Sequence, residues 1–141
     1  MSSDWATANF AKLSTQHFEP LCEALGLGEP NSVVGAGYAV SSAADNIVRV
    51  FFEHDRGLCN FALGPAGDNE PLCSVDVAAR RFPPVRLLRQ GEQRLSLGEQ
   101  AQLVQGHWKE LQHMFGPALA ETREWLAEVH AALTAKYTGG A

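Results

Sequence analysis

The spacing of apolar residues changes twice along the chain, and each change marks a different kind of element. In the first stretch Phe10, Leu13, Leu21 and Leu25, with Ala6 and His17 between them, fall on one stripe at intervals of three and four. Asp4 stands where a carboxylate can accept from the free amides of a first helical turn. Pro20 has no amide hydrogen and crowds the preceding turn, so the pattern predicts a helix to about Phe18 and a further turn or two to Leu25. Gly26 and Gly28 then close it.

The period next falls to two. Val34, Ala36, Tyr38 and Val40 alternate with their neighbours, then Val48, Val50 and Phe52, then Cys59, Phe61 and Leu63. His54-Asp55-Arg56-Gly57 suits a tight turn closed by a bulge. The polar stretch Ser41–Asn46 is too short for a crossover helix. A three-stranded antiparallel meander is therefore expected. Val85–Arg94 reads equally as irregular chain or as an extended edge strand, which would make the sheet four-stranded. Gly64–Pro71 is a loop by composition. Ser74, with Asp76 behind it, opens a short helix that runs to about Phe82, before Pro83-Pro84.

The last third returns to helical spacing. Ser96 and Glu99 form a capping-box pattern. Leu97, Ala101, Val104, Trp108, Leu111, Phe115, Leu119, Thr122, Leu126, Val129, Leu133 and Tyr137 then keep phase on one stripe. One straight helix over that range would be roughly 60 Å long. A domain of this size has a radius of gyration of about 14 Å. Two long helices meeting at a corner at Gly116-Pro117 and packing on the sheet are expected instead. The chain reads as a single α+β domain, 1–141.

Composition narrows the function. With 141 residues, 45% hydrophobic and 19% charged, the chain has the make-up of a globular domain. Sixteen acids against eleven bases give a formal net charge of −5, which argues against nucleic acid as partner. No apolar run is long enough for a membrane helix, and the first residues lack a secretory pattern, so a cytoplasmic location is expected. Cys22, Cys59 and Cys73 are odd in number and widely spaced, which suits buried thiols rather than disulfides or a zinc site. No cofactor is implied: Gly35-Ala36-Gly37 lacks the third glycine and following helix of a dinucleotide fingerprint. No catalytic residue and no metal ligand can be assigned from spacing, and the scattered histidines form no ligand pair.

What remains is segregated charge. Asp45, Glu53, Asp55, Asp68 and Glu70 fall on or beside the loops of the sheet. Arg80, Arg81, Arg86, Arg89 and Arg94 crowd into one segment opposed only by Glu92. Acidic, single-domain and α+β, the chain resembles the toxin-neutralising immunity proteins. In setting a helix before a twisted sheet and finishing on a helix, it also resembles the secretion chaperones, whose last helix follows two further strands. The first resemblance implies a protein partner, with the acids meeting a basic toxin surface and the arginines available to an acidic one. A pocket between sheet and helices that joined Tyr38, His54, Asp55 and His113 would instead imply an enzyme or small-molecule binder. The length of the C-terminal stripe raises a third expectation, a homodimer through the last helices.

Overall fold

The computed structural model describes residues 9–35, 37–55, 58–82 and 95–138, with side chains to residue 132. Asp4, Arg56, Arg86, Arg89, Arg94, the segment Val85–Arg94 and the Gly139–Ala141 tail lie outside these residues. The architecture is a long N-terminal helix, an antiparallel sheet of five strands in sequential order, and a run of helices that packs back on it.

The first helix, α1, is helical from residue 9 to Leu25 without a break at Pro20. Its middle, Ser14–Phe18, is π-helical, and the amide of Glu19 donates to the carbonyl of Ser14. The wider turn makes room for the proline ring that would otherwise strike the carbonyl four residues back. The expected interruption is thus absorbed as a bulge, and Glu19–Leu25 continues as α-helix.

The strands are β1 (Asn31–Gly35), β2 (Tyr38–Ala44), β3 (Val48–Asp55), β4 (Leu58–Pro65) and the short β5 (Cys73–Ser74). The sheet has more strands than the three or four expected, for two reasons. The run 33–40 is not one strand but two. Gly37 takes φ 79°, and the Tyr38 ring lies where a Cβ on Gly35 would sit, 2.3 Å from that position. Both conditions favour glycine, and the chain reverses there. The other added strand is β5, too short for periodicity to reveal. The stretch Ser41–Ala44, expected as loop, extends β2 and pairs with Phe52, Phe51, Val50 and Arg49 in register.

Alternation divides the sheet into two faces. Ala39, Ser41, Ala43, Val48, Val50, Phe52, His54, Phe61 and Leu63 point toward the helices. Phe10 and Phe18 of α1 stack on Phe52, with ring centroids 5.4 and 6.0 Å away, and Phe61 lies 5.0 Å from Phe52. Each of these rings is nearly or wholly buried, worth about 1.5–3 kcal/mol apiece by the transfer of apolar area.

Ser74 caps α2 (Val75–Ala78) by accepting from the Val77 amide, and a 3-10 turn, Ala79–Arg81, follows. The C-terminal stripe forms three helices rather than two: α3 (Leu97–Gly106), α4 (Trp108–Phe115) and α5 (Leu119–Thr138). The expected capping box is complete, with Ser96 and Glu99 bonding reciprocally at 2.9 and 3.1 Å. The extra break falls at His107, whose ring stacks on Phe82 at 4.5 Å and whose Nδ1 contacts Glu110 Oε2 at 2.6 Å. The expected corner is present at Gly116. A Cβ there would lie 2.8 Å from the Gln112 carbonyl and 3.0 Å from Ile47 Cγ2, so only a bare backbone lets the corner seat against the sheet. Pro117 lies in the turn, and α5 begins at Leu119. Buried Thr122 donates to the Met114 carbonyl at 2.8 Å, tying α5 to the end of α4.

A candidate interaction cleft on the outer face

The face of the sheet turned away from α1 carries Val33, Val40, Phe51, Glu53, Asp55 and Asn60. It is not bare. The loop after β4 folds back over it, with Ala66 N donating to Ile47 O at 2.8 Å and Leu72 N to Leu63 O at 2.8 Å. Arg49 fixes the loop from below, its Nε donating to the Ala66 carbonyl at 3.0 Å and its Nη1 contacting Ser42 Oγ at 3.1 Å. Under this loop Phe51 is fully buried although it faces away from the main core. Between the loop and the β1–β2 hairpin an open cleft of about 550 Å³ remains. Phe51 and Val40 lie at its base, Val33 and Tyr38 on one side, Asn69, Glu70 and Pro71 on the other.

Three carboxylates line it: Glu53, Asp55 and Glu70. Among the described residues no lysine or arginine does. Glu53 is half-buried in the middle of the cleft, opposite Val40 and Asn60 in the strand register. Burial first, and the charge of Asp55 second, push its carboxyl above the ordinary value of 4.5. Asp55 lies opposite Tyr38 and Leu58, both exposed. An anionic centre, a sheltered apolar base and exposed side chains at the mouth coincide here.

The other candidate acids do different work. Asp45 is built into the β2–β3 turn. Its Oδ1 accepts from the amides of Ile47 and Val48 at 2.7 and 2.8 Å, and its Oδ2 from Gln112 Nε2 at 2.8 Å. Burial pushes its carboxyl up, but these bonds together with one from Trp108 outweigh it and leave the carboxyl below its ordinary value. Asp68 stands 3.7 Å from the guanidinium of Arg123 on α5. Arg81 lies over the Trp125 ring at 4.9 Å, so one of the crowded arginines has a structural partner inside the fold, while Arg80 is exposed. Arg86 and Arg89 fall outside the described residues.

Of the four residues that would have made an enzymatic pocket, Tyr38, His54 and Asp55 all border this cleft and His113 does not. His54 points to the helix side, beneath Phe10, and is 3% exposed. Tyr38 and Asp55 belong to the outer face, and His113 is exposed on α4. Among the described residues no group of three His, Cys, Asp or Glu is placed to hold a metal ion. The cysteines are unpaired, and burial pushes all three thiols up: Cys22 to about 11, with Glu19 adding to the effect, Cys73 to about 12, and Cys59 in the same direction. Burial thus disfavours the thiolate at all three.

The first part of the C-terminal stripe packs inside the molecule, with Val104, Leu111, Phe115 and Thr122 buried. Trp125 packs against the core, and Leu126 and Val129 face Leu72, Cys73 and Val77 across a shallow apolar groove. No helix among the described residues is long and apolar enough to cross a membrane.

Glu53, Asp55 and Glu70 stand out in the sequence as acids beside the sheet loops, but what gathers them does not. The one available signal was Phe51-Phe52, two adjacent aromatic residues in a strand, which imply that both faces are covered. No protein-family model, curated protein or solved structure matches this chain.

Proposed function

We propose that the chain is a non-catalytic protein-binding module that engages a basic partner through the outer-face cleft, in the manner of an immunity protein neutralising a toxin. One observation carries this reading: Glu53, Asp55 and Glu70 line a single open cleft over a sheltered apolar base, with no lysine or arginine among its described lining residues. A carboxylate held half-buried above its ordinary pKa, as Glu53 is, gains most from a cation that arrives with the partner. Exposed Tyr38 in the lining, and exposed Leu58 paired with Asp55 in the strand register, offer the apolar contact that surrounds such charges in protein interfaces. The three unpaired thiols suit the reducing cytoplasm as the site of action.

The test is capture from the native host with the wild-type chain and with Glu53→Lys/Asp55→Lys/Glu70→Lys. A stoichiometric basic protein held by the wild type, released by raised salt and lost by the triple variant is the expected result. Co-expression should then relieve that protein's toxicity. Retention by the triple variant, or no stoichiometric partner at all, overturns the reading. One copy of this chain per partner is expected by light scattering, because the acidic cleft lies within a single molecule.

A further inference from the structure

We infer that the open edge of β1, with the groove between it and α1, is a second binding site, which takes an extended basic peptide as an added strand. This goes beyond the outer-face reading and concerns the opposite side of the hairpin. β1 is the terminal strand of the sheet, and among the described residues nothing pairs with its outer edge. Across the two-residue turn Gly35 pairs with Tyr38, and the alternation of the ladder turns the amides and carbonyls of Gly35, Val33 and Asn31 toward β2. Those of Ser32 and Val34 therefore point outward. Edge strands are ordinarily blunted by charge, proline or a bulge. Asn31–Gly35 has none of these, and Val33 and Val34 are 48% and 57% exposed.

Beside this edge runs a groove of about 700 Å³. Phe18, Cys22 and Leu27 line it, together with the exposed carboxylates of Glu19, Glu23 and Glu29. No lysine or arginine does so among the described residues. Ser32 faces this side, its Oγ 2.7 Å from that of Ser41. In a strand added to β1, the side chains flanking Ser32 and Val34 would lie over the groove. A lysine or arginine there lays its methylenes on the apolar lining and carries its charge to the carboxylates. Charge also decides against a second copy of this chain as occupant. Pairing β1 with β1 would bring two acidic grooves together on molecules that each carry −5.

The probe is an acetylated, amidated Lys-Val-Lys-Val-Lys-Val-Lys peptide, titrated into the full chain and followed by amide NMR and hydrogen exchange. Binding should slow exchange at the Ser32 and Val34 amides selectively. The same peptide N-methylated at alternate residues on its pairing edge, or with glutamate for lysine, should bind at least about tenfold more weakly, each having lost a main-chain or charge contribution. Val34→Pro removes one outward amide at an exposed position while leaving the β1–β2 bonds, and should weaken binding similarly. Ser32→Lys/Val34→Lys, which restores edge charge without altering backbone geometry, gives the same answer if Val34→Pro perturbs folding. Glu53→Gln/Asp55→Asn, which alters the outer cleft alone, should leave the slowed exchange at the Ser32 and Val34 amides unchanged. Unchanged affinity in both edge variants, or protection confined to the outer face, overturns the inference and leaves the outer-cleft reading standing. Self-association without peptide, abolished by the lysine variants, would show a second copy to be the occupant and overturn it too.

Discussion

The Phe61 amide donates to Oε1 of Gln100 at 2.7 Å, across 39 positions of sequence. β5 pairs with Ala62 and Leu63, and among the described residues no strand lies beside this part of β4. Gln100, itself 1% exposed, supplies the missing acceptor from α3 and donates its own Nε2 to the Leu95 carbonyl at 2.9 Å. Gln100→Leu would strand a buried donor and a carbonyl. It should cost about 1–3 kcal/mol, read as a lower urea midpoint with unchanged slope. Stability equal to wild type would mean that water or a neighbour replaces the side chain.

Glu53 sets up a pH dependence whose sign is fixed by its surroundings. Its folded-state pKa lies above the ordinary 4.5, so the folded state holds the proton more tightly than the unfolded one. Stability is lost as pH rises through that region, and at neutral pH the carboxylate is a liability. Glu53→Gln should therefore be more stable than wild type at pH 7, with the advantage fading in acid, and should bind the basic partner less well. Asp45 works in the opposite sense: its lowered pKa gives stability present at neutral pH and lost in acid, and Asp45→Asn should flatten that loss. Urea titrations at several pH values check both.

The raised thiol pKa values predict silence toward a thiol reagent. Cys22 and Cys73, at about 11 and about 12, are almost entirely protonated at neutral pH. Labelling by an aromatic disulfide should be slow in the native chain and complete on unfolding, with half-exposed Cys59 the first to react. Rapid reaction of any one cysteine under native conditions contradicts those raised values.

His54 holds the one unsatisfied buried side-chain atom among the described residues, Nε2. Its edge meets Phe10, with centroids 6.3 Å apart. His54→Leu removes the stranded polar group at similar volume and should match or exceed wild-type stability, by about 1 kcal/mol at most. Partner binding should persist, since His54 borders the cleft but its ring is buried against Phe10 and carries no exposed contact surface. A large loss of stability would reveal a partner for Nε2.

Local pattern made some of this fold legible and long-range pairing hid the rest. Ser96 with Glu99, Ser74 ahead of Val75 and the corner at Gly116 were readable, because each depends on residues a few positions apart. The β1–β2 reversal was not, since a run of small and β-branched residues alternates equally well through one long strand or a hairpin. The decisive contact, the Tyr38 ring over Gly35, is a side-chain placement that periodicity does not encode. The π-helical stretch shows a proline tolerated by local widening where propensity indicates a stop. At the cleft, the acids could be named but not sorted. Asp45 and Glu53 differ only in what folds around them, a turn with four donors in one case and an apolar cleft in the other.

The two margins of the sheet are unlike, and this limits assembly. Among the described residues the sheet ends at β5 on a two-residue strand and on Gln100, and at β1 on five residues with no strand beside them. A sheet that can lengthen at both margins propagates without end, as fibres do. A sheet that can lengthen at one margin admits a single addition and then stops. Each molecule in that sense offers one place for one added strand, and a guest strand seated there closes the sheet.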